Sequence, residues 1–426
     1  MEDKILSKHL LVLDYLSSGY RGVPFEVDLW GKSIFRFGSL KEATRFKLFF
    51  RNPNSLKQSL FPPTELNVTE SYFNDVFDIE GDLFSVFDAA FSLSRVKRSV
   101  SQKVAIISLI LSLPSGTSKG EGKEVFKDNL KVKHSKGRDS EAVKFHYDVS
   151  NEFYAKWLGE TMVYSGAYFK TRSDSLDTAQ INKLDFICKK LRLKPGETLL
   201  DIGCGWGSLI MHAAKNYGVR AVGVTLSENQ AEFAINRIKV ENLSERVSVK
   251  LSDYRDLDES VKFDKISSVE MLHHVGDKNT HEYFEKIRKL QRNNSLSFHL
   301  AITNNSSKGK YRGPKFTQKY FMPDYDLIPV SKLIKYAEQN KFEVLDVECL
   351  REHYDLTAEH WLRNIESMKG ELQDIAGDTI YRVWRLSMAL LSYGFKRNLI
   401  NLYHIVLAND PENRGVLPLN REDVYL

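Results

Sequence analysis

Cysteine is scarce in this 426-residue chain, with three residues at Cys188, Cys204 and Cys349. They are spread too widely for a disulfide framework or a zinc knuckle, and a reducing cytoplasmic compartment is the expectation. Long apolar runs are also missing: no stretch approaches the ~20 residues that span a bilayer. Val104–Leu113, VAIISLILSL, stops at ten residues, and its internal position excludes a signal peptide. The opening MEDKILSKHL has no secretory pattern. Charge of one sign is lacking too, since a net +5 is too mild to argue for nucleic acid. The remainder, 42% hydrophobic and 27% charged, is the composition of a soluble globular protein. Its length suggests about two domains.

What is present is concentrated in Leu199–Gly207, LLDIGCGWG, and Ala221–Gln230, AVGVTLSENQ. Thr198–Ile202 reads as a buried strand that ends in Asp201 and a turn bearing Gly203, Gly205 and Gly207. Such a turn lets backbone N–H groups approach a ligand, and the helix expected from Ser208 to Tyr217 points its positive end there. Arg220–Thr225 is a second apolar strand. The pattern predicts the βαβ opening of a Rossmann-like, doubly wound α/β sheet with its site at the carboxyl ends of the strands. The glycines alternate and do not follow G-x-G-x-x-G. They resemble the first motif of S-adenosylmethionine (SAM) dependent methyltransferases, where Asp201 would face the cationic part of the methionine moiety.

Residues 1–113 read as a small N-terminal α+β domain, with a hairpin over Phe25–Phe37 and helical periodicity at Leu40–Phe50 and Gly81–Leu93. Residues 114–144 read as a basic linker carrying Lys119, Lys123, Lys127, Lys131, Lys133, Lys136, Arg138 and Lys144. Val104–Leu113, preceded by Arg95, Lys97, Arg98 and Lys103, fits either a buried helix or one lying in a membrane interface. Residues 145–409 read as the methyltransferase domain. It has further strands at Val247–Leu251, Lys265–Val269, Ser295–Ile302 and His404–Leu407, and an amphipathic helical insertion at Asn364–Gly394. Residues 410–426 read as an irregular tail.

A series of motifs surrounds the glycine turn. His146–Tyr154 (HYDVSNEFY) and Tyr164–Phe169 (YSGAYF) precede it. Asp253–Asp256, Val269–Gly276 (VEMLHHVG), Tyr320–Pro323, Leu327–Pro329, His353-Tyr354, Leu356-Thr357 and Trp361 follow. In this order the set resembles the cyclopropane fatty acid synthase family, which includes mycolic acid methyltransferases. The resemblance covers about 145–407, and Asp78–Leu83 resembles the family's longer bacterial members. It implies SAM as the cofactor. Tyr147, Tyr164, Ser165, Asp201, Gly203, Gly205 and Gly207 would lie at its methionine end, Thr225, Leu226 and Gln230 at the ribose, and Asp253, Tyr254 and Arg255 at the adenine. Tyr147 and Tyr164 also suit a core role with a hydrogen-bonded hydroxyl, and Thr225 and Gln230 suit a helix cap.

The resemblance further implies methyl transfer to the cis double bond of a phospholipid acyl chain at the inner membrane surface. The product is a cyclopropane or a methylene- or methyl-branched chain, with a homodimer and a partner reductase as further expectations. Family cyclopropane synthases hold bicarbonate as the base through a Cys, a Glu, a His and a Tyr. Here the Cys position is Gly166 and the Glu position is His273, while His299 and Tyr354 match the other two. His273 as base, bicarbonate held by a cationic His273, and an uncyclised product all remain open. Glu270 is the remaining catalytic candidate: under the alternative function, N-methylation of a small amine, it would steer an ammonium group. A catalytically inactive SAM- or lipid-binding scaffold is the third reading.

Overall fold

The computed structural model describes residues 2–116, 133–147, 149–305, 307, 313–409 and 417–425. Chain contacts divide it into two units: Met1–Val125 with Gly313–Phe321 and Ala376–Tyr393, and Phe126–Arg312 with Met322–Ile375 and Gly394–Leu426. The cut expected near residue 113 therefore misses two later segments that join the first unit. Lys119, Lys123, Lys127 and Lys131 of the expected linker lie outside the described residues, and its end is the helix Lys136–Tyr147.

The first unit carries a four-stranded sheet in the order β2-β1-β3-β4. Its strands are β1 (Phe25–Leu29), β2 (Ser33–Phe37), β3 (Phe46–Phe50) and β4 (Phe77–Gly81). The Phe25–Phe37 hairpin forms as expected, and Phe25 stacks on Phe37 and Phe46 at 4.5 and 4.8 Å. The helix expected at Leu40–Phe50 does not form. Its aromatic end, FKLFF, pairs between β1 and β4, and sheet pairing overrides the local period. The helix Leu83–Ser94 matches the periodicity read at Gly81–Leu93. Val100–Leu111 is a helix with a Ser99/Gln102 capping box. It buries Ile106 and Ile110 but leaves Val100, Val104, Ile107 and Leu111 between 41% and 78% exposed. The helical insertion expected at Asn364–Gly394 forms as the end of Arg351–Ser367 followed by Lys369–Ala376 and Asp378–Lys396, and in the last of these the run Tyr381–Ala389 is buried on every side.

The second unit is built on a seven-stranded sheet in the order β10-β11-β9-β8-β5-β6-β7. The strands are β5 (Thr198–Ile202), β6 (Arg220–Thr225), β7 (Val247–Leu251), β8 (Phe263–Val269), β9 (Gln291–Asn304), β10 (Glu343–Cys349) and β11 (Ile400–Asn409). β11 runs antiparallel to both neighbours. The half-exposed strand β10 had no counterpart in the sequence reading. A short helix, Glu422–Tyr425, replaces part of the irregular tail. From β5 the chain winds outward through β6 and β7, then returns to the other side of β5 as β8. The order reverses between β5 and β8, which places a ligand crevice at their carboxyl ends. Among the described residues, no helix is long and apolar enough to cross a membrane.

Candidate active site

Two strand ends meet at the switch point. After β5, Gly203, Gly205 and Gly207 all take positive φ (79°, 54° and 82°), and Gly207 opens the helix Ser208–Tyr217. A Cβ on Gly205 would meet nothing within 4 Å, whereas one on Gly207 would press on Ala234 at 3.1 Å. The first leaves room beside the turn; the second allows close helix packing. Asp201 is 2% exposed and accepts from Ser267 Oγ at 2.7 Å. Burial pushes its carboxyl up to about 6, opposed by that hydrogen bond and by Lys183.

At the end of β8, Glu270 sits at φ 53°, a left-handed conformation uncommon for a residue with a side chain. Its Oε1 accepts the Gly166 N–H at 2.7 Å, and its Oε2 accepts the Tyr354 hydroxyl at 2.7 Å. Burial raises the Glu270 carboxyl above its ordinary value and lowers the Lys183 ammonium below its own, each partly countered by the other's charge. Lys183 was not among the candidates from sequence. It is 1% exposed on the helix Leu176–Leu191 and donates to Ser165 Oγ at 2.7 Å. An ammonium has no acceptor, so Ser165 must accept, and its own hydroxyl proton is left to point elsewhere.

The loop Tyr164–Phe169 has no strand partner and is held by side chains. Gly166 N–H goes to Glu270, Ala167 N–H to Thr357 Oγ1 and Phe169 N–H to His353 Nδ1, at 2.7–3.0 Å. The helix Arg351–Ser367 supplies the last two acceptors and Tyr354. Around this loop the rings converge: Tyr164 lies 5.1 Å from Trp361, 5.4 Å from Trp157 and 6.2 Å from Tyr147. Tyr147 in turn lies 6.1 Å from Trp206 in the glycine turn. Tyr147 and Tyr164 are half-buried, and burial raises both phenols, so they stay neutral.

The residues expected at the nucleoside lie at or after the ends of the next two strands. Thr225 Oγ1 donates to Gln230 Oε1 at 2.9 Å and accepts from Ser227 N–H at 3.2 Å. Ser227, not Thr225, caps the helix Glu228–Val240, which leaves the NH2 end of Gln230 for a ligand. Leu226 lies half-buried between them. Beyond β7, both oxygens of Asp253 are taken by the Arg255 guanidinium at 2.8 and 2.6 Å. Arg255 also reaches Asp139 and lies 5.6 Å from the Tyr254 ring centre. Asp253 thus braces its turn, and Tyr254 is half-buried beside it, edge-on to Tyr283 at 5.5 Å.

Of the two histidines expected at the base site, His299 departs from its expected role. His299 is fully buried but bonds Tyr283 at 3.1 Å and Ser297 at 3.2 Å, against the helix Thr280–Leu290. Phe298, one residue earlier, meets His404 on the other face, where Phe186 of the Leu176–Leu191 helix also lies. His299 is therefore on the wrong side of β9 to join Glu270 and Tyr354. His273, on the short helix Leu272–Val275, is 4% exposed, and its Nδ1 has no partner among the described residues. Burial and the neighbouring His274 and His146 push its pKa well below 6.5, so it is held neutral.

The sequence profile described as mycolic acid cyclopropane synthetase matches residues 134–405. The chain belongs to that family. It is 40% identical over 297 residues to a Pseudomonas putida protein named "Probable fatty acid methyltransferase", covering 68% of this chain and 75% of that one. It is 34% identical over 296 residues to the cyclopropane-fatty-acyl-phospholipid synthase of Escherichia coli, with coverage of 68% and 75%. A crystal structure of mycolic acid cyclopropane synthase CmaA1 complexed with SAH and CTAB superposes with a TM-score of 0.59 at 28% identity, over 63% of this chain and 97% of that one. This family member is a SAM-dependent methyltransferase with a Rossmann-like fold. The open side of Gly205, the buried carboxylate of Asp201 and the Gln230 amide at adjacent strand ends suit the donor.

Bicarbonate fits poorly. Gly166 has no side chain, His299 faces away, His273 is neutral, and the Tyr354 hydroxyl already serves a carboxylate. A second anion there would lie against Glu270.

Proposed function

We propose that this protein transfers the methyl group of SAM to the double bond of an unsaturated fatty acyl chain in a membrane phospholipid. SAM supplies an electrophilic methyl on a sulfonium. The chain's part is to bind the donor, align an alkene that has no proton to lose before attack, and shelter the cation formed on the acyl chain. The observation that carries the reading is the ring of Tyr147, Trp157, Tyr164 and Trp361 beside the glycine turn. Aromatic faces attract a cation without capturing it as water would. Ser165 and Asp201 take the methionine end of the donor, Gln230 the ribose and Tyr254 the adenine.

Access to membrane substrate comes from the helix Val100–Leu111. Val100, Val104, Ile107 and Leu111 follow helical spacing on one exposed stripe, with Lys97, Arg98 and Lys103 at its start. An apolar stripe bordered by cations suits an anionic lipid surface. Incubation of the purified protein with methyl-labelled SAM and oleoyl-phospholipid vesicles is expected to place label in the acyl fraction. An unlabelled acyl fraction rejects the reading. The second reading, N-methylation of a small amine, is favoured by the Glu270 carboxylate alone, and label in an amine panel would support it.

A further inference from the structure

We infer that the Glu270 carboxylate is the base that removes the proton from the acyl cation, in the place expected for an external anion or for His273. The inference rests on the alkene-methylation reading. Gly166 lets its neighbours close in on the loop, because they fill the space that a side chain there would need. A Cβ there would meet Leu402 Cδ2 at 2.8 Å and the Tyr354 ring at 3.3 Å. The Gly166 N–H is presented toward Glu270, which reaches it from the end of β8, 104 residues away in sequence. Tyr354, 84 residues away on the other side, closes on the second oxygen.

The two donors fix the carboxylate and occupy one lone pair on each oxygen, leaving one on each to accept a proton. The left-handed backbone at Glu270 is strained for a residue with a side chain, and such strain collects where a side chain must be aimed. The titratable groups around it are Tyr147, Tyr164 and Tyr354, all held neutral by burial, and the Lys183 ammonium. Glu270 is thus the anion among neutral rings, and it attracts the cation as well as taking its proton. His273 offers no such attraction, and protonating it would bury a charge with its ring centre 4.2 Å from that of His274.

In the step, a C–H bond next to the cationic carbon breaks and its proton moves to a Glu270 oxygen. The electron pair forms a new C=C bond, or a ring C–C bond when the proton leaves the transferred methyl. The carboxylate becomes a carboxylic acid and later returns its proton to solvent. No oxidant or reductant is needed.

The test compares wild type, Glu270→Gln, Glu270→Asp and His273→Asn with labelled SAM and oleoyl-phospholipid vesicles. Glu270→Gln is expected to bind SAM within a few-fold of wild type by calorimetry, yet to turn over ~10²–10⁴-fold more slowly. Wild type should lose rate on the acid side as the carboxylate is protonated, and the residual Glu270→Gln rate should lack that limb. Glu270→Asp should keep the limb at an intermediate rate, which covers a Gln variant that fails to fold. His273→Asn should keep the limb too, and wild type should run equally well in bicarbonate-free buffer. Glu270→Gln turnover within tenfold of wild type, loss of the acid limb in His273→Asn, or a rate that rises with bicarbonate overturns the assignment. An inactive wild type instead removes the alkene-methylation reading on which it rests.

Discussion

A carboxylate buried as deeply as Asp201 opposes folding of the empty protein and favours its loaded state. Folding raises its pKa from 3.8 to about 6, so the native state binds more protons than the unfolded chain between those values. The sign follows: the penalty is complete above pH 6 and fades as pH falls toward 4, so this residue makes the apo protein more stable on mild acidification. Asp201→Asn is expected to raise the apo protein's stability near pH 7 by on the order of 2 kcal/mol, with a gain that shrinks below pH 6. The same variant should lose at least about tenfold in SAM affinity. Thermal melts across pH, paired with calorimetry, check both halves. Gly166 gives a second residue-scale prediction. Gly166→Ala should cost about 1–3 kcal/mol, because Leu402 and Tyr354 flank the space its Cβ needs. Leu402→Val in the same chain should return part of that loss in denaturant titration.

Elements with a clean local period were legible from sequence. Thr198–Ile202, Ser208–Tyr217 and Arg220–Thr225 form with the expected bounds, because glycines and a single apolar face mark each of them. The site was legible only in part. Asp201, the glycines, Tyr147, Tyr164 and Ser165 come from contiguous motifs. His299 fell on the wrong face because a strand alternates sides, and a shift of one residue inverts the assignment. Lys183 stands in a helix of ordinary polarity, and only packing shows that its Nζ is enclosed. The helix Val100–Leu111 was ambiguous because one face is buried at Ile106 and Ile110 while another is an exposed apolar stripe. Val104→Asp with Ile107→Asp should leave folding within about 0.5 kcal/mol, since both positions are exposed. Binding to anionic vesicles should fall about tenfold or more, read by sedimentation with liposomes. Unchanged sedimentation would remove this helix from the membrane contact.

At the scale of the whole chain, sequence order conceals how the first unit is completed. A segment about 300 residues after its sheet supplies Arg382, whose side chain is 5% exposed among three carboxylates. Arg382 meets Asp75 at 2.6 Å, Asp78 at 3.1 Å and Asp378 at 2.6 Å, and donates to the Tyr72 carbonyl at 3.3 Å. Arg385, beside it, donates to the Tyr72 hydroxyl and the Ile79 carbonyl. With their partners in place the two buried arginines lock the late segment to the early sheet. A guanidinium serves here because it is planar, permanently charged and has donors for several acceptors at once. Removing it takes from Asp78 the stronger of two guanidinium partners and leaves Arg51 at 3.1 Å; Arg382 and Arg51 together hold its carboxyl below the usual value against the opposing effect of burial. Arg382→Met should therefore cost about 1–3 kcal/mol, more than a surface pair, through the lost charge-assisted hydrogen bonds. The loss belongs to the first unit, so a protease should cut within residues 2–116 while the SAM site still binds its ligand. Loss of SAM binding in step with that cleavage would mean that the two units unfold together.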